Sequence, residues 1–347
     1  MKVVLPISID RWSNPISSKF RELVVHSKGS GINYYSLSNP VSEEDRRSTS
    51  ALWGSNLRKL TASSLLTNEF DIVHRSTATR SNTLITRLIH LRSSKIKNVY
   101  TIGVEPHKTD KYHKHILQAI KNADYLIANS HSVARAVQEV LGMEVNKVIH
   151  NGIDPVFFDS NKADPWTLKK NKIYAPYMLF NSAMLERKRP DLYIDLARKF
   201  PEVPFVMIGR DTSLSEYYLK TAPKNVIHLG EVTKSDSRDI TARAMAVIFT
   251  SELEGLPNAV LEAVTLGTPV VAQKVSSLPE IINTTNGWLL DDTSVASWSS
   301  HIEQVISMSD EESKKRSQAS RADALSRFSW QQYADEHVAF YKMMVNA

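Results

Sequence analysis

Short apolar runs of four to eight residues recur through the chain, most of them followed by a segment of helical periodicity. That alternation restricts the fold to parallel sheets covered by helices. In the first half, strands are predicted at 2–7, 32–37, 71–74, 98–104, 124–129 and 147–150, and helices near 17–27, 80–91, 111–122 and 131–141. The rhythm breaks over 151–172, "NGIDPVFFDSNKADPWTLKKNK", where Gly, two Asp-Pro steps and a basic end read as a linker. It restarts with strands at 177–182, 204–209, 225–230, 244–251 and 268–273. From Val295 the pattern is helical only. Phe328, Tyr333, His337, Phe340, Tyr341 and Met344 fall at near-helical spacing, so the last helix must dock on an apolar surface.

Two doubly wound α/β units in series are therefore expected, and 347 residues suit two domains. The expected division is a first domain over 1–153, a linker over 154–172, a second domain over 173–328 and a terminal helix over 329–347. With 42% hydrophobic and 23% charged residues the chain reads as globular. The absence of cysteine removes disulfide and thiolate chemistry and weakens any zinc reading. "MKVVLPISIDRW" lacks the features of a signal peptide, and no run approaches the roughly 18 apolar residues of a membrane span. A cytoplasmic location is expected, with any membrane contact peripheral.

Charge is divided unevenly. Residues 1–153 hold 21 Lys and Arg against 12 Asp and Glu, a balance of +9, and the remainder carries −3. An anionic partner for the first half is implied. Nucleic acid is not expected, because no zinc-finger, basic-zipper or RNP-like motif accompanies the charge. The segment 107–124, "HKTDKYHKHILQAIKNAD", is the best candidate for contact with anionic lipid.

Doubly wound units bind ligands at the carboxyl ends of their strands. Neither a G-x-G-x-x-G nor a Walker A motif follows any predicted strand, so the loops must be judged singly. In "SELEGLPNAVLEAVTLGTPVV" (251–271), the predicted strand runs into Glu254-Gly255 and then Leu256-Pro257 opens a helix. Pro suits a first helical turn and Gly allows close approach of a ligand, so the helix start is a site for a diphosphate. Glu254, before the helix, and Glu262, inside it, could accept hydroxyls of a sugar and a ribose. A second loop places Arg187, Lys188 and Arg189 before a Pro-initiated helix, where cations can neutralise a diphosphate leaving group.

Across most of its length the chain resembles the retaining glycosyltransferases of the GT-B fold, family 4. The resemblance rests on an ordered set of segments: "ADYLIANSHSVARAV", "KVIHNGIDPVFF", "ERKRPDL", "FVMIG", "VIHLGEV", the E-x7-E stretch from Glu254 to Glu262, "LPEII" and "NGWLL". It implies two Rossmann-like domains facing a crevice, with the C-terminal helix crossing back onto the first. It implies that Glu254 holds donor-sugar hydroxyls near the anomeric carbon, that Glu262 holds the ribose and that Lys188 binds phosphate. Gly255, Leu256 and Pro257 would face the sugar and phosphate, and Arg187 and Arg189 would assist. On the acceptor side it points to His74 and Ser17.

The sequence departs from the family pattern at three places. Ala183 stands where the family has Arg, and Ser17 and Ser18 cap a helix where its loop is Gly-rich. Gly103 stands where its active-site His is expected, leaving His107 to reach in from the following loop. The implied activity is sugar transfer from a UDP- or GDP-type nucleotide sugar to a glycan or lipid-linked acceptor. No bound cofactor is expected, and no metal, since no Asp-x-Asp element sits at a strand end. The rival readings are a nucleotide-sugar epimerase or hydrolase of the same fold, and an inactive sugar-binding protein.

Overall fold

The computed structural model describes residues 1–8, 15–37, 56–77, 79–93, 95–106, 114–174 and 176–346. The chain forms two units: Met1–Gly152 with Trp330–Ala347, and Ile153–Ser329.

In the first unit, β1 (Lys2–Ser8), β2 (Asn33–Leu37), β3 (Leu57–Lys59), β4 (Ile72–Arg75), β5 (Lys97–Ile102), β6 (Tyr125–Ala128) and β7 (Lys147–Val148) form one sheet. Its order is β3-β2-β1-β4-β5-β6-β7, and every recorded pairing is parallel. Val3, Val4 and Leu5 are consecutive and all buried, as expected of a strand covered on both faces. The sequence did not signal β3, a three-residue edge strand of which only Leu57 is buried. It also missed the Ala62–Thr67 helix, which is held by a capping box between Thr61 and Ser64.

The second unit repeats the plan with β8 (Met178–Asn181), β9 (Phe205–Ile208), β10 (Val226–Gly230), β11 (Ala246–Phe249), β12 (Val270–Gln273) and β13 (Gly287–Leu290). Its order, β10-β9-β8-β11-β12-β13, is again doubly wound and parallel, reversing direction between β8 and β11. β13 is "GWLL", which reads as a turn in the sequence. It becomes a strand because it pairs with β12 from Val270↔Gly287 to Gln273↔Leu290. A Cβ at Gly287 would stand 2.2 Å from the Val270 carbonyl oxygen, so this edge needs glycine.

Residues 154–172 are packed into the second unit. Phe158 and Ile173, just past their end, lie in its core. Asp154 accepts the N–H groups of Val156 and Phe157 at 2.9 Å, and Thr167 donates to Asp239 at 2.8 Å. The Trp330–Asn346 helix packs on the Pro15–His26 helix of the first unit. There Tyr333, Ala334, Phe340, Tyr341 and Met344 share a core with Val3, Leu5, Phe20 and Ile72, while Phe328 joins the core of the second unit. Where the chain leaves and re-enters the first unit, Gly152 lies so close to Trp330 that a Cβ would stand 2.6 Å from its indole ring. Among the described residues no helix is long and apolar enough to cross a membrane.

Candidate functional site

β8 and β11 are neighbours at the point where the strand order of the second unit reverses, and the loops leaving their carboxyl ends are laced together. After β8, Glu186–Lys188 forms one 3-10 turn, Arg189 takes a left-handed conformation (φ 51°), and Pro190 opens the Pro190–Lys199 helix. After β11, the Thr250 hydroxyl donates to the carbonyls of Lys188 at 2.7 Å and Arg189 at 3.0 Å. The Glu252 N–H donates to the Arg187 carbonyl, and the Arg187 guanidinium to that of Leu253, both at 2.9 Å. A polar residue directly after an apolar strand thus fixes the basic loop from beneath.

This lacing brings together two of the residues singled out from the sequence. Lys188 Nζ donates to Glu254 Oε1, and the two residues are only 9% and 8% exposed. Burial pushes the Lys188 pKa down, the Glu254 carboxylate opposes that shift, and neighbouring Arg187 adds to it. Lys188 Nζ also lies 5.4 Å from the centre of the Phe249 ring. The Glu254 backbone N–H donates to Ser276 Oγ at 3.1 Å, which ties the loop to the segment after β12.

The helix after this loop spans Asn258–Leu266, with Pro257 as its N-cap, one position earlier than a first-turn residue. Pro257 itself makes no side-chain capping hydrogen bond. Gly255, Leu256 and Pro257 are buried between Glu254 and the helix. Glu262, four residues inside it, is half-buried, and desolvation pushes its pKa up to about 7 against the opposing charge of Lys234.

The other basic residues of the loop are held by neighbours. The Arg189 guanidinium donates to Asp191 at 2.9–3.1 Å and to Glu252 at 2.9 Å, and these bonds raise its pKa. Thr250, Glu252, Ser276 and Asp191 organise the site, and sequence reasoning gave none of them a role. For Thr250 and Glu252 the run of polar residues after β11 was the only signal, and Asp191 and Ser276 had none.

Gly209, at the end of β9, has φ 137°, and a Cβ there would stand 2.1 Å from the Ser182 carbonyl oxygen in the loop after β8. Gly209→Ala should therefore destabilise the protein by about 2 kcal/mol, through backbone strain together with the clash. Urea unfolding checks this, and an unchanged midpoint would show that the two strand ends can separate freely.

In the first unit, His74 is fully buried instead of lining an open acceptor surface. Its Nδ1 is 2.5 Å from the Tyr341 hydroxyl and its Nε2 is 2.7 Å from the Thr101 hydroxyl. Its ring also stacks on His337 at 5.6 Å. Ser17 is buried two residues inside the Pro15–His26 helix, and its hydroxyl donates to the Ser8 carbonyl at 2.7 Å. It therefore lies within the first turn and not at the cap, because the helix begins at Pro15. His107 and the start of the 107–124 segment lie outside the described residues. At Gly103 an added Cβ would meet, among the described residues, only Asn129 Nδ2, at 3.8 Å.

The segment carrying Lys188, Glu254 and Glu262 matches a family model described as glycosyl transferases group 1, over residues 164–323. O-antigen chain mannosyltransferase B of Escherichia coli is 31% identical to the chain over 117 residues, 34% of this chain and 30% of that protein. D-inositol 3-phosphate glycosyltransferase of Mycobacterium leprae is 23% identical over 250 residues, 66% of this chain and 56% of that one. The chain thus spans about half or less of the length of these relatives. Among solved structures, a glycosyltransferase from Rickettsia africae aligns with a TM-score of 0.76 at 17% identity, covering 99% of this chain and 98% of that one. The Anabaena protein Alr3699/HepE in complex with UDP aligns at 0.75 and 16%, covering 99% and 100%. These likenesses show the fold: two Rossmann-like units of the GT-B type.

Proposed function

We infer that the chain is a retaining glycosyltransferase of family 4, moving a sugar from a nucleotide-diphosphate sugar to a glycan or lipid-linked acceptor. The observation that carries this reading is the buried Lys188–Glu254 pair at the strand-order reversal of the group 1 segment. A buried ammonium beside a helix start is suited to a diphosphate, and the carboxylate next to it to sugar hydroxyls. The names of the relatives, a mannosyltransferase and an inositol-phosphate glycosyltransferase, favour sugar transfer over the rival readings. A neighbour bound to UDP supports a UDP- or GDP-type donor.

In the proposed reaction the donor diphosphate takes Lys188 Nζ from Glu254 and rests on the Gly255-Leu256-Pro257 helix start. Glu254 then accepts hydroxyls of the sugar, and Glu262 those of the ribose. The bond from the anomeric carbon to the phosphate oxygen breaks with its electron pair going to the phosphate. Charge on the phosphate is stabilised by Lys188 and the helix dipole. The acceptor oxygen attacks from the face that the phosphate leaves, and its proton passes to a phosphate oxygen. The +9 balance of residues 1–153 suits an anionic acceptor, or one presented at a membrane surface to a cytoplasmic enzyme.

The test is incubation with UDP- and GDP-sugars, with and without acceptors. Nucleotide release only with acceptor, and a product of the donor's anomeric configuration, is the expected result. Acceptor-independent release would assign a hydrolase or epimerase, and binding without release a sugar-binding protein. Turnover should change less than twofold in EDTA. Complete loss restored by Mg²⁺ or Mn²⁺ would replace the Lys188 account of charge neutralisation.

A further inference from the structure

On the face of the first sheet covered by the Arg80–His90 and Lys114–Lys121 helices lies a cavity of about 640 Å³. That is within the roughly 300–1,000 Å³ of small-molecule sites. Arg75, the last residue of β4, lines it and is 4% exposed. Its Nη2 donates to Asn98 at 3.3 Å, and its guanidinium lies 5.8 Å from the centre of the Tyr100 ring. Its Nε has no hydrogen-bond partner among the described residues. Burial lowers the Arg75 pKa, and only the Tyr100 hydroxyl opposes that shift. A buried guanidinium without a carboxylate is costly, because its desolvation is not offset by a counter-charge.

Arg75 is joined by a second guanidinium, that of Arg87. Arg87, His90 and His115 face the same cavity, and the single acid among the described lining residues, Asp124, accepts the Asn98 N–H at 2.7 Å. Leu91 and Ile96 supply apolar wall. The cavity reaches back to Asn98 and Asp124, at the amino ends of β5 and β6.

We propose that this cavity is a second ligand site that takes a phosphate ester, with the phosphate on Arg75 and Arg87 and the organic part against Leu91 and Ile96. Two guanidinium groups match a group with three acceptor oxygens and close to two negative charges better than they match one carboxylate. A soluble sugar phosphate and the phosphate of a lipid headgroup share this chemistry.

Calorimetric titration of the full chain with glycerol 3-phosphate, and flotation with phosphatidylglycerol against phosphatidylcholine vesicles, separate the two sources. At least one probe should bind saturably. The binding should weaken tenfold or more in Arg75→Gln and in Arg87→Glu and persist in Lys188→Met, which removes the cation of the second unit. Arg87 is exposed, so its variant should fold even if Arg75→Gln does not. Saturable binding by neither probe, or binding that Arg87→Glu leaves intact, overturns the proposal.

Discussion

Glu254→Gln is expected to lower turnover by about 10²–10³-fold, the scale seen when a group stabilising transition-state charge is removed. The free nucleoside diphosphate should bind at least as tightly as before. Lys188 Nζ is bonded to Glu254 and both residues are nearly buried, so a diphosphate must compete with a carboxylate for the ammonium. Glutamine keeps the volume and removes the charge, which frees the ammonium for phosphate but deprives the developing positive sugar of its nearest anion. The folded state should lose stability as well, since removing one member of a buried pair costs about 3–5 kcal/mol and the amide recovers part of that through its oxygen. The measurements are kcat with the best donor, the Kd of the free nucleotide by calorimetry, and the urea midpoint. Full turnover would remove Glu254 from the reacting centre, and weakened nucleotide binding would mean that the carboxylate orients Lys188 and does not compete with the ligand.

Stability should fall by at least about 3 kcal/mol as the pH drops from 6.5 towards 4, because of two imidazoles buried in the first unit, His337 alone accounting for about that much. Burial pushes His337 down to about 4, and His74 is held well below its ordinary value by burial and by the nearby His337. His337 Nδ1 donates to the Tyr333 carbonyl at 2.8 Å, which leaves Nε2 buried and without a partner among the described residues. A proton on that nitrogen would have no acceptor. In the unfolded chain both rings protonate near 6.5, so between that value and the folded one the unfolded state binds more protons. Stability therefore rises with pH across this window and is lost as the pH falls through it. Urea unfolding between pH 7 and 5, where most carboxylates stay ionised, measures the slope. His337→Asn keeps a donor for the Tyr333 carbonyl and should flatten it. Equal slopes in the two proteins would place the acid sensitivity elsewhere.

The strands that cross a core were legible because burial on both faces makes them continuous apolar runs, as in Val3-Val4-Leu5 and Ala246–Phe249. The edge strands were not. Leu57–Lys59 buries one side chain, and "GWLL" is a four-residue run that begins within the Asn286-Gly287 step of a turn, so each owes its conformation to hydrogen bonds from a neighbouring strand. The same limit governed the histidines. His337 sits in the apolar stripe of the last helix, but nothing local shows that the ring it meets is His74, more than 260 residues earlier in the chain.

Periodicity and punctuation alone determined two parallel α/β units, a break near residue 152, a terminal helix with an apolar face and a loop-to-helix element carrying Glu254 and Glu262. These are properties of neighbouring residues, and short-range steric and burial preferences suffice to write them. Only the tertiary structure decided that Lys188 rests on Glu254, that Arg189 is neutralised by Asp191 and Glu252, and that Arg75 is buried without a counter-ion among the described residues. A charge is defined by what surrounds it. For Lys188 and Arg75 those surroundings come from strands distant in sequence, brought together by the order of each sheet.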